Sequence, residues 1–102
     1  PTRRSSDLIL ACVEPLELPI ILAGDLNSRR GSATMATFQK YFTVNCLSDG
    51  APWTAPAPRP TYACDWLIYA PNDAFIVKAY NVCYWANEES DHYPVVATYV
   101  IK

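Results

Sequence analysis

The stretch Leu18-Pro19-Ile20-Ile21-Leu22-Ala23-Gly24-Asp25 decides how this chain is read. It is an apolar run from Leu18 to Ala23, closed by the turn formers Gly24-Asp25, and it reads as a strand buried on both faces. Upstream, Leu8, Ile9, Ala11, Cys12 and Leu16 form an apolar pattern that predicts a helix ending before Pro15, because the residue before proline avoids the α region. Downstream, Ala33, Met35, Ala36, Phe38, Tyr41 and Phe42 recur at helical spacing behind the turn Arg30-Gly31-Ser32, with Ser32 as the N-cap. Asp49–Pro60 contains Pro52, Pro56, Pro58 and Pro60, which suits a stiff surface loop and neither a helix nor a central strand. Tyr62–Tyr69, Ala74–Tyr84 and Pro94–Ile101 are rich in aromatic and β-branched residues and predict three strands, the first two joined by Pro71-Asn72-Asp73. The order is helix, strand, helix, loop and three strands, an α+β chain in which sheet dominates.

The chain has 102 residues, enough for one domain at most. Hydrophobic residues make up 51% and aromatics 13%, which argues against low-complexity disorder. A formal net charge of −2 gives no general attraction to nucleic acid. The longest apolar stretches, Leu8–Val13, Leu18–Ala23 and Tyr93–Ala97, fall well short of the ~20 residues that cross a bilayer. Cys12, Cys46, Cys64 and Cys83 contain no Cys-x-x-Cys spacing, and the single His92 cannot complete a Cys/His finger, so all four read as ordinary thiols in apolar surroundings. The cellular compartment stays open.

Residues 1–8, Pro-Thr-Arg-Arg-Ser-Ser-Asp-Leu, are too short and too polar for a signal peptide. They resemble the translation of a sequencing adapter, so they are expected to be non-native, with 9–102 forming part of one domain and natural upstream sequence lost. The other reading is a natural basic arm. A strand buried on both faces points the same way as the adapter, since a chain this size buries only ~60–70% of its unfolded surface.

Three polar clusters interrupt the apolar segments. Asp25 and Asn27 would share one face of an extended segment while Leu26 turns inward. A carboxylate beside a carboxamide suits phosphate chemistry: one can deprotonate water while the other donates to charge on the phosphoryl oxygens. The same two residues also favour an ordinary turn. Asp65 is a charge within an apolar strand, costly unless paired. Ser90-Asp91-His92 offers a hard oxygen ligand and a group that titrates near neutrality, or else a solvated loop. An Asp65–His92 pair would satisfy both members. Arg29 and Arg30 could meet a substrate phosphate or simply fill a turn, and Trp53 could stack on a base or close over the core.

The succession Pro19–Asn27, Thr61-Tyr62, Cys64-Asp65-Trp66-Leu67-Ile68 and Ser90-Asp91-His92-Tyr93-Pro94-Val95 resembles the C-terminal half of the endonuclease/exonuclease/phosphatase superfamily, relatives of deoxyribonuclease I. The resemblance runs from Leu18 to Ile101. It implies half of a four-layer sandwich, two mostly antiparallel sheets flanked by helices, with the active site at strand ends. It also implies divalent-metal-dependent hydrolysis of a phosphodiester or phosphomonoester by water. In that scheme Asp25 positions the water, Asn27 holds the phosphate, Asp65 orients His92, His92 meets the phosphate, and Asp91 lies at a Mg²⁺ or Mn²⁺ site. The substrate would be a nucleic acid, nucleotide, lipid or sugar phosphate.

Cys64 and Trp66 stand where the family more often has an aliphatic residue and a tyrosine. The family's Asn and metal-binding Glu have no counterpart, since Glu14 and Glu17 immediately precede the Asp25 strand, so the chain is expected to hold part of a metal site and to be inactive alone. The alternative is a non-catalytic binding module on the same scaffold. A Ser/His/Asp esterase is disfavoured because no Gly-x-Ser-x-Gly elbow is present.

Overall fold

The computed structural model describes residues 5–44, 53–86 and 88–102. The predicted roles of Cys46 and of the first four residues of the proline-rich loop fall outside that set, as do residues 1–4 of the adapter-like segment. The order is α1 (Ser5–Val13), a 3₁₀ turn (Glu14–Leu16), β1 (Ile20–Asp25), α2 (Ala33–Gln39), β2 (Asp65–Ala70), β3 (Phe75–Val82) and β4 (Val95–Ile101). The fold is α+β, with two antiparallel two-stranded sheets, β1–β2 and β3–β4.

Pro15 ends α1 as expected and sits in the 3₁₀ turn. α2 begins where the sequence placed it: Ser32 Oγ accepts from the Met35 N–H at 3.2 Å. Alternation along β1–β2 then sorts the side chains. The register pairs Ile20 with Ala70, Leu22 with Ile68 and Gly24 with Trp66. One face of this ladder packs on Leu10 of α1 and on Met35 and Phe38 of α2, together with Phe42 and Val44. Trp66 is buried there, and its indole N–H donates to the Ser28 carbonyl at 2.9 Å, tying the segment after β1 to β2. Gly24, opposite Trp66, adopts φ 144°, a backbone state that favours glycine.

The opposite face carries Ile21, Ala23, Leu67, Tyr69 and the two aspartates, by the same alternation. It meets the second sheet at one end, where Tyr69, Phe75 and Tyr99 form an aromatic cluster with ring centroids 5.7 Å apart. Away from that cluster the face is open, and this corrects the reading of β1 as buried on both faces. Ile20 and Leu22 are half-buried, whereas Ile21 is 43% exposed and Ala23 is exposed. Among the described residues, apolar cover reaches β1 from the helix side only.

Candidate active site

The final rung of the β1–β2 ladder sets Asp25 directly opposite Asp65. Like charges facing each other across a ladder destabilise it by a few tenths to about 1 kcal/mol. His92 answers that repulsion. Its Nδ1 lies 2.7 Å from Asp65 Oδ2, and its Nε2 lies 3.9 Å from Asp25 Oδ2. The imidazole is therefore bracketed by two carboxylates. Its pKa is raised above the ordinary histidine value of 6.5: the hydrogen bond to Asp65 outweighs partial burial, and the charges of Asp65, Asp25 and Asp91 add to it. Asp65, the charge the sequence marked as needing a partner, has one.

Three hydrogen bonds hold the backbone of the segment that carries the imidazole. The Tyr93 N–H donates to the Thr54 carbonyl at 2.8 Å, and the Ala57 N–H donates to the Asp91 carbonyl at 2.8 Å. The His92 N–H donates to Ser90 Oγ at 3.1 Å. The Tyr93 hydroxyl donates to the Pro58 carbonyl at 3.1 Å, and its ring packs edge-on against Tyr84.

Thr54 is the hub of this arrangement. Its fully buried hydroxyl accepts from the Cys64 N–H at 3.1 Å and from the Asp65 N–H at 3.4 Å. One threonine thus joins the proline-rich loop, the start of β2 and the histidine loop. Sequence reading missed it, because a single hydroxyl among prolines and small residues carries no local signal of burial.

Asn27 departs from expectation. β1 ends at Asp25, whose Oδ1 accepts from the Asn27 N–H at 2.7 Å, and Asn27 takes φ 50°. The chain turns there instead of continuing extended, so the predicted shared face of Asp25 and Asn27 is corrected. Asparagine tolerates this left-handed state better than most residues. Asn27 therefore joins the group through its backbone N–H. Leu26 does pack inward, and its N–H donates to the Cys64 carbonyl at 3.0 Å.

Asp91 is exposed, with Ser90 Oγ donating to its Oδ1 at 3.4 Å. Arg29 stacks over the Tyr62 ring at 4.3 Å, a cation–π contact that occupies its guanidinium face. Trp53 is 54% exposed, and its carbonyl accepts from the Tyr84 hydroxyl at 2.9 Å.

Cys64 departs from its reading as an ordinary thiol in apolar surroundings. Of the cysteines described, Cys12 is exposed and Cys83 half-buried, so the expected apolar burial fails for Cys12; Cys64 is buried, yet polar atoms surround its sulfur. Sγ donates to Asp65 Oδ2 at 3.4 Å and lies 3.7 Å from His92 Nδ1 and 3.9 Å from Thr54 Oγ1. Burial, chiefly, pushes this thiol up to about 12, so it stays protonated. Asp25, Cys64, Asp65 and His92 each offer one ligand atom, all within 4.8 Å of one another, and the group could hold a metal ion. Asp25 and Asp65 also line a cleft of about 320 Å³ with Leu67, Tyr93 and Val95.

No family model, curated protein or solved structure matches the chain. Among the described residues, no helix is long and apolar enough to cross a membrane.

Proposed function

We propose that the Asp25–Asp65–His92 centre serves water attack on a phosphoester, the activity implied by the resemblance to the endonuclease/exonuclease/phosphatase superfamily. One observation carries the reading: a single imidazole lies 2.7 Å from one carboxylate and 3.9 Å from another, at the open end of a strand pair. Asp65 accepts from Nδ1–H and fixes the ring, so that Nε2 faces Asp25. The 3.9 Å gap is too long for a hydrogen bond, yet it admits one oxygen about 2.8 Å from both groups. A water there donates to the Asp25 carboxylate, which takes its proton as the water attacks phosphorus. The imidazole, whose protonated form its carboxylate neighbours favour, stabilises the negative charge gathering on the phosphoryl oxygens through Nε2–H, and the leaving oxygen takes its proton from solvent.

The resemblance calls for Mg²⁺ or Mn²⁺ at Asp91. Magnesium selects oxygen ligands in near-octahedral array, whereas the clustered donors include a sulfur and a nitrogen and leave Asp91 out. These residues do not fit that ion. The substrate is a phosphodiester or phosphomonoester borne by a nucleic acid, nucleotide, lipid or sugar.

The test uses the natural reading frame that contains this chain, assayed on bis(p-nitrophenyl) phosphate and p-nitrophenyl phosphate with Mg²⁺ or Mn²⁺ supplied. Asp25→Asn and His92→Ala should each lower turnover by ~10²–10⁴-fold, the range expected for a lost general base or a lost donor to the developing charge. Turnover untouched in either variant, or absent from the unaltered protein, refutes the assignment.

A further inference from the structure

The mismatch with magnesium has a chemical direction. A thiol, an imidazole and carboxylates within one 4.8 Å group form the mixed donor set that borderline-soft cations select, not hard ones. The distances agree. Tetrahedral zinc, with Zn–S near 2.3 Å and Zn–N or Zn–O near 2.0–2.2 Å, requires ligand atoms roughly 3.4–3.6 Å apart. Cys64 Sγ lies 3.4 Å from Asp65 Oδ2, within that range, and 3.7 Å from His92 Nδ1, about 0.1 Å beyond it. Two adjustments complete the shell: the 2.7 Å hydrogen bond between Asp65 Oδ2 and His92 Nδ1 must open by roughly 0.7 Å as the ion replaces the proton between them, and Asp25, grouped within 4.8 Å of the others and facing Nε2, must swing in to reach the ion.

We propose that Cys64, Asp65 and His92, with Asp25 as the fourth donor, form a binding site for a thiophilic divalent cation, zinc above all. The ion enters from the cleft side, where Asp25 and Asp65 are accessible. It displaces the Sγ proton of Cys64 and the Nδ1 proton of His92, both of which pass to solvent, while Nε2 keeps its own. Thr54 holds the thiol in place, through the Cys64 N–H at 3.1 Å and its hydroxyl 3.9 Å from Sγ. The ion uses the Asp65–His92 pair as ligands, so metal binding and the proton-bridged pair exclude each other. The site follows from the donor geometry and does not depend on the phosphoester reading.

Cobalt(II) is the probe, because tetrahedral Co²⁺ absorbs in the visible and a cobalt–thiolate bond adds a near-ultraviolet charge-transfer band. The reduced 102-residue chain is titrated with Co²⁺ alone, with folding followed by circular dichroism. Both bands should saturate at one equivalent, bleach with equimolar Zn²⁺ and persist in a large excess of Mg²⁺. A variant with Cys12, Cys46 and Cys83 all changed to Ser should keep the charge-transfer band. Adding His92→Ala to it should weaken binding at least tenfold, and adding Cys64→Ser should abolish the band. No charge-transfer band in the unaltered chain overturns the proposal. So does a band that survives Cys64→Ser, disappears when only the other three cysteines are replaced, or bleaches with Mg²⁺.

Discussion

Removing the charge of Asp65 should change how stability depends on pH. In the folded chain His92 titrates above its ordinary 6.5, mainly through its hydrogen bond to Asp65. A group raised in the folded state stabilises fully below its unfolded pKa and loses that contribution as pH climbs through the folded value. The 2.7 Å contact is an ion pair while the ring is protonated, and once the ring is neutral it is a hydrogen bond to a carboxylate that stays charged. Only the ion-pair attraction is lost as the ring deprotonates, and for a pair solvent still reaches that is worth up to about 1 kcal/mol. Urea unfolding of the unaltered chain should therefore show stability falling by up to about 1 kcal/mol between about pH 6 and about pH 8. In Asp65→Asn, which keeps an acceptor without the charge, that slope should flatten.

The window must stop near pH 8. Above 9 the Cys64 thiol, held protonated up to about 12 in the fold, ionises first in the unfolded chain and lowers stability for a separate reason. Equal slopes in the two proteins, or stability rising with pH in the unaltered chain, would refute the assignment of the Asp65–His92 pair as the charged contact of this site.

Two further substitutions test the scaffold. Thr54→Val keeps the shape but removes the acceptor for the Cys64 and Asp65 N–H groups, and should cost about 1–3 kcal/mol in urea unfolding; its His92 ring pKa, followed by NMR, should shift from that of the unaltered chain as Asp65 loosens. A loss under half a kcal/mol would remove Thr54 from its place as the hub. Ser32→Ala should cost about 1 kcal/mol through loss of the α2 cap, with Ser32→Gly costing less; equal effects would argue against capping.

What could be read from the sequence was what obeys local rules. Ser32 as a cap, Pro15 as a helix end and the strands around Asp65, Lys78 and Ala97 follow from spacing and propensity. The Asp65–His92 pair was also legible, because a charge inside an apolar strand demands a partner and the chain has a single imidazole. β1 was misread because an apolar run reports what a strand can bury, not what lies over it. Asn27 was misplaced because a carboxylate two residues earlier bent the backbone that extended geometry assumed. Cys64 read as an ordinary thiol in apolar surroundings because cysteine rules look for paired spacing, whereas its sulfur meets an imidazole 28 residues away. Thr54 was invisible for a related reason: its role lies in which N–H groups it receives.

The centre draws on β1, β2 and the loop before β4, with the Asp65–His92 contact spanning 27 residues and the Thr54–Cys64 contact spanning 10. Long loop closures come late in folding, because their entropy must be lost before their contacts form. No isolated hairpin or helix pair of this chain can own the imidazole cage. A resonance from the His92 ring is therefore a gauge of assembly: its native position appears only when distant parts of the polypeptide have met.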